Sequence, residues 1–326
     1  MQKLIGIVAL IAIVFSCGKG NSDEKILLDS TGIINEVSVV IDNESWKGSV
    51  GEAIRAVLAS PVYGLPQDEP MFTINQIPAS VFSGFITKNR TILKVEVGEK
   101  TATEFYNNVY AKPQKVILIS GKTKQDVIHQ LEENASRIIE TFRNIEIYEK
   151  QRLIKKSLYN ASFLKEKIGL SIRFPTAYRV AKDDNNFFWM RKDVNTGTLN
   201  LMIYELPIDA IKRNDSISII NQVIAIRDSI GKSHIEGPVE GSYMITERAY
   251  TPFHTETILD NKPTLETKGI WDVKNAFMAG PFINYAIEDK INNRWVIAEG
   301  FAFAPSVQKR NYMFELESII KTIKLE

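Results

Sequence analysis

Residues 265–305 read LETKGIWDVKNAFMAGPFINYAIEDKINNRWVIAEGFAFAP. Three runs stand out: Leu265–Val273, Pro281–Asp289 and Arg294–Pro305. Each is rich in β-branched and aromatic residues, and short polar segments such as Asp289–Asn293 divide them. That spacing predicts consecutive strands of an antiparallel meander. Working outward, YMITERAYT (243–251) and FHTETILD (253–260) precede them, with a turn at Asp260-Asn261-Lys262-Pro263. IGLSIRFP (168–175), NNFFWMRK (185–192) and LNLMIYELP (199–207) read as further strands. SISIINQVIAIRDSI (216–230) and KRNYMFELESIIKTIKL (309–325) carry apolar residues three and four apart, the period of a helix. Many strands with few helices between them imply an antiparallel sheet with helices on one face, an α+β layer pair.

The first half has a similar order. EVSVVID (36–42) predicts a strand and SVGEAIRAVLAS (49–60) a helix, with Ser49 and Glu52 spaced as a capping box. MFTINQI (71–77), RTILKVEV (90–97) and QKVILIS (114–120) predict three more strands. No Gly or Pro occurs from Lys122 to Lys167, and the apolar spacing predicts a long amphipathic helix with a break near Tyr159. The expectation is α+β with two domains, residues 34–160 and 161–326, each a mainly antiparallel sheet covered by helices.

The chain begins with a short positive segment, Met1-Gln2-Lys3, and a charge-free apolar run from Leu4 to Phe15. The run is shorter than the roughly 20 residues of a bilayer-spanning helix and matches a signal-peptide core. Val14-Phe15-Ser16-Cys17 resembles the lipobox of bacterial lipoproteins. That resemblance implies cleavage of residues 1–16, lipid on Cys17 and a flexible tether over residues 17–33. Several acyl chains anchor firmly where one binds only marginally. Gly18 follows the cysteine, which implies the outer membrane, with the body facing the periplasm. Cys17 is the only cysteine, so no intramolecular disulfide forms. The whole chain has 40 Lys and Arg against 39 Asp and Glu; removing Lys3 with the signal peptide leaves 39 against 39. A neutral chain without a basic tract argues against a nucleic-acid partner.

Few residues point to chemistry. Gly121-Lys122-Thr123 and Gly231-Lys232-Ser233 lack the earlier glycine of a phosphate loop, and Val116 and Ile226 stand in its place. Gly48 and Gly51 are only part of a dinucleotide fingerprint, so no cofactor is expected. His129, with Glu132 and Glu133, and His254, with Glu256, lack the remaining ligands of a metal site, so no metal is expected. No G-x-S-x-G elbow is present. Phe187, Phe188 and Trp189 are consecutive, and a sheet covered on one face leaves some of them exposed. Trp189 is therefore a candidate binding residue. The Pro-framed loop YGLPQDEP (63–70) supplies Gln67 and Glu69 as candidates, with Trp46 nearby in sequence.

GLPQDEP, AKPQKV, IGLSIRFPTAYRV, EGPVEGSYMITE, GIWDVKNAFMAGPF and EGFAFAP resemble an uncharacterised family of Gram-negative lipoproteins known only as a domain of unknown function. The element order of the second half also resembles PsbP- and Mog1-like α/β sandwiches. The expected role is a non-catalytic binding or accessory module of the envelope, contacting protein or glycan. The alternative is a hydrolase that uses two carboxylates on envelope glycans.

Overall fold

The computed structural model describes residues 26–213 and 218–326. Cys17, the expected signal peptide and the start of the expected tether lie outside them. From Leu28 the chain is already laid on the body: the Lys112 amide donates to the Leu28 carbonyl, and Asp29 and Thr31 bridge to Lys112 and Asn89. Residues 28–31, expected to belong to a flexible tether ending at 33, are thus paired to the body.

The fold is α+β, and its strand pairings are mostly antiparallel. The first sheet contains β1 (Glu36–Val40), β2 (Thr73–Ile77), β3 (Thr91–Val97), β4 (Ala102–Asn107) and β5 (Lys115–Gly121), in the order β2-β1-β3-β5-β4. This sheet corrects the antiparallel expectation, because β1–β2, β1–β3 and β3–β5 are parallel and only β4–β5 is antiparallel. The reason is local. Helices α1 (Asn43–Lys47) and α2 (Ser49–Leu58) lie between β1 and β2 and return the chain for parallel pairing. The Ser49–Glu52 capping box does not form. Gly48 is the N-cap of α2, and Asp42 caps α1 instead by accepting from the Ser45 amide at 2.8 Å. Glu52 pairs with Arg55.

Thr123 and Asp126 form a reciprocal capping box at the start of α3 (Lys124–Glu133). Asn134 separates it from α4 (Ala135–Ile154). The long predicted helix is therefore three pieces, the last being α5 (Ser162–Ile168). Val37, Val39, Leu93, Ile117 and Ile119 meet Ile54, Val127, Ile138 and Phe142 in the core of the first half.

The second sheet contains β7 (Arg179–Asp184), β8 (Phe187–Val194), β9 (Gly197–Pro207), β10 (Tyr243–Thr246), β11 (Phe253–Leu259), β12 (Lys262–Lys274), β13 (Ala279–Asp289) and β14 (Arg294–Phe303). Its order is β10-β12-β13-β14-β9-β8-β7, with β11 also on β12, and every pairing is antiparallel. Of IGLSIRFP, only β6 (Leu170–Ser171) is a strand, paired with β15 (Lys324–Leu325).

Both faces of this sheet are covered, not one. Phe188, Met190, Leu201, Ile203, Ile283 and Tyr285 pack on α7 (Arg310–Ile320) and α5. On the other side, Phe187, Met202, Tyr204, Phe282 and Phe301 pack toward α6 (Ile219–His234). Double coverage is why Phe187 and Phe188 are both buried although neighbours point oppositely.

Candidate ligand cleft

Helix α6 leaves one end of its sheet face open, and a cleft of about 240 Å³ lies there. Trp189 and Arg191 come from β8, Thr198 and Asn200 from β9, Trp271 and Val273 from β12, and Phe301 and Phe303 from β14. Residues two apart on a strand share a face, so the sheet period delivers these pairs together. The segment leaving α6, Ile235–Pro238, forms one wall, and Met278 of the β12–β13 turn forms part of the rim.

The indoles are fixed by their own N–H groups. Trp189 Nε1 donates to Asn200 Oδ1 at 3.0 Å, and buried Asn200 donates to Thr198 Oγ1 at 3.1 Å. Trp271 Nε1 donates to the Ala302 carbonyl at 3.1 Å, and its ring meets Phe301 edge-on at 5.8 Å. Gly280 makes that reach possible: a Cβ there would lie 2.1 Å from the Ala302 oxygen and 3.0 Å from Trp271 Nε1.

Beside the cleft, a buried charge holds α6 to the sheet. The Arg227 guanidinium pairs with Glu299 at 2.8 Å, donates to Thr246 Oγ1 at 2.9 Å and lies 3.8 Å from the Phe282 ring centroid. Asn284 Nδ2 donates to the same carboxylate at 2.9 Å. Arg227 and Glu299 are each satisfied by protein groups, so this network serves packing rather than binding. Burial, and then the charge of Glu299, push the Tyr204 hydroxyl pKa above its ordinary range. His234 ends α6 and stacks on Phe187 at 4.1 Å. Burial and the charge of Lys182 lower its pKa.

The four candidates from sequence fall in different places. Trp189 lines the cleft. Trp46 sits on α1 at the edge of the other core, with the Arg55 guanidinium 4.5 Å from its ring centroid. Gln67 is exposed, but Glu69 is only 3% exposed. Its carboxylate accepts from the Lys309 and Arg310 amides at 2.7 and 2.9 Å, capping α7. The rest of the loop is a strap between the halves. Tyr63 stacks on Phe253 at 4.2 Å, and Leu65 enters the second core. Gly64 has φ +83°, and a Cβ there would lie 2.7 Å from Lys268 Cβ.

His254 Nδ1 meets Thr267 Oγ1 across β11 and β12 at 3.0 Å, and Glu256 pairs with Arg213. His129 meets Glu133 on an exposed helix face. Among the described residues, no three His, Cys, Asp or Glu side chains converge as metal ligands. Gly121-Lys122-Thr123 is the turn from β5 to α3, and Gly231-Lys232-Ser233 is the last turn of α6. Sequence reasoning missed Asn200, Arg191, Met244 and Met278 in the cleft. Asn200 left a signal, as an amide inside the apolar run LNLMIYELP.

The profile of the domain of unknown function DUF4837 matches residues 157–322, half of the chain. The chain belongs to the DUF4837 family. A second domain of unknown function, DUF8532, matches residues 30–155. The DUF4837 match contains every residue that lines the cleft. No curated protein matches the sequence. Among solved structures, one from Bacteroides thetaiotaomicron VPI-5482 has a TM-score of 0.27 at 12% identity, covering 48% of this chain and 45% of that one. The chain thus spans less than half the length of that protein. Human StAR-related lipid transfer protein 5 has a TM-score of 0.24 at 7% identity, covering 54% of this chain and 94% of its own. A StAR-related lipid transfer protein from Xanthomonas axonopodis has 0.21 at 11%, covering 45% and 92%. Overlaps of this size assign neither a fold nor a ligand.

Proposed function

We propose that the protein is a non-catalytic binding module of the bacterial envelope. It is anchored by lipid on Cys17 in the outer membrane, faces the periplasm, and holds its partner in the Trp189 cleft. The observation that carries this reading is the lining. Two indoles, Trp189 and Trp271, are held by internal hydrogen bonds beside Phe301, Phe303, Met244 and Met278. Such a surface is pre-ordered and loses little freedom on binding. The mainly apolar wall suits an apolar side chain of an envelope protein better than a sugar. Arg191, Asn200 and Glu236 supply the polar groups that orient it. Glycoside hydrolysis needs two carboxylates about 5–9.5 Å apart across the bond. The cleft lining holds one, Glu236, which argues against the hydrolase alternative.

A photo-reactive amino acid in place of Met278 tests the reading in living cells. Irradiation should give an adduct with one envelope protein, and adding Trp189→Ala should greatly reduce it. Adducts unaffected by Trp189→Ala would place the partner elsewhere.

A further inference from the structure

Among the described residues, exposed apolar side chains gather around the chain's entry into the fold. Ile26 is 93% exposed and Leu28 59%. The strand-like segment that follows is hydrogen-bonded to two others. The Thr31 amide donates to the Lys88 carbonyl at 2.9 Å, and the Ser30 amide donates to the Lys112 carbonyl at 3.1 Å. The first partner ends the segment Ala79–Lys88, two short 3₁₀ turns with Val81 51% exposed and Phe85 69% exposed. The second belongs to the turn carrying exposed Val109. Gln114 joins the two by donating to the Thr87 and Asn89 carbonyls, and Phe82 meets Tyr110 edge-on at 5.8 Å. Phe82 and Ile86 fill the inner side of this cover against Ile77, Ile92 and Val116. Phe85 and Val81 are not needed for that packing and stand outside it. Lys88 Nζ lies 5.4 Å from the Phe85 ring, Lys112 is exposed, and Asp29 is the acid among them.

We infer that Val81 and Phe85, with Lys88 and Lys112, form a second contact with the bilayer beside the lipid anchor. The inference rests on the reading of Cys17 as lipidated. Cys17 to Lys25 is nine residues, which span at most about 30 Å when fully extended. The face that receives the tether therefore stays close to the headgroups. Aromatic and aliphatic side chains flanked by lysines suit that boundary, the rings entering the acyl edge and the ammonium groups meeting anionic lipid.

The test uses the full lipoprotein in vesicles of phosphatidylethanolamine and phosphatidylglycerol. Phe85→Cys is labelled with an environment-sensitive fluorophore, and Ser233→Cys on exposed α6 is the control; the native cysteine is occupied by lipid. Both variants should float with the vesicles. Nitroxide-bearing lipid should roughly halve the emission at position 85, as for a side chain about 5–10 Å into the headgroup boundary, and leave position 233 unchanged. Flotation without quenching at 85 overturns the contact while leaving the anchor intact. Failure to float removes the anchor and the contact together. A blue shift at 85 that grows with protein density and resists nitroxide lipid assigns the patch to a second copy of the chain, which also overturns the inference.

Discussion

Glu69 lies in a stretch framed by Pro66 and Pro70, where sequence suggests an exposed polar loop. Its position is set by a distant helix: the Lys309 and Arg310 amides at the start of α7 have no acceptor within their own helix and donate to this carboxylate. Glu69→Ala should destabilise the fold by about 2 kcal/mol, the upper end for loss of a cap, whereas Gln67→Ala should change stability by less than about 0.5 kcal/mol. Thermal melts of the two single variants distinguish them, and equal losses would contradict the capping role. Trp189 is the residue where a sequence argument and the cleft coincide. Exposure alone does not place it there, because the sheet is covered on both sides and Trp189 is half-buried at the open end of the α6 side. Cys17 carries a prediction of its own: Cys17→Ser should abolish labelling by a fatty-acid probe and leave an uncut precursor. Undiminished labelling would remove the anchor from the account.

Elements carried by near-continuous apolar, β-branched and aromatic runs were legible: β8, β9 and β12 to β14 lie where those runs are, as strands buried on both faces. The edge strands β4 and β7 were not. Their sequences, ATEFYN and RVAKDD, are largely solvent-facing and lack an alternating buried side, so backbone pairing defines them. Parallel pairing in the first sheet was missed because strand propensity carries no direction. The helices between β1 and β2 carried that information. Helix α7 shows a different limit. Its Glu315 and Glu317 look like a solvated face but are buried against α4 and β8. Glu315 pairs with Lys150 and Lys192 at 2.8 and 2.7 Å, and Glu317 pairs with Arg143 and Lys321. Burial opposes ionisation of both carboxyls, but these cations outweigh it and hold both below the usual carboxylate range. With folded pKa values depressed, their stabilisation is complete above about pH 4.5, the unfolded range, and is lost as pH falls through the folded values. Glu315→Gln should destabilise by about 2 kcal/mol at pH 7, less than a fully buried pair because both lysines reach solvent. It should also flatten the melting temperature against pH below 4.5. An unchanged acid profile would contradict the assignment.

Across the whole molecule, the strap of residues 63–70 and the α4–α7 seam fix the DUF4837 region against the first half. This arrangement presents the Trp189 cleft away from that seam, on the α6 side of the second sheet. The central claim is that this cleft is the binding site. The most direct measurement is the affinity of the cross-linked envelope partner, purified, for the wild-type lipoprotein and for Met278→Asp, alongside melting temperatures. Met278 lies in a turn at the rim and is half-buried against the second core, so the melting temperature should fall by a few degrees while the protein stays folded at the assay temperature. A charge placed against a desolvated apolar contact should cost about 2 kcal/mol, an affinity loss of roughly 30-fold. Equal affinities with both proteins folded would contradict the claim.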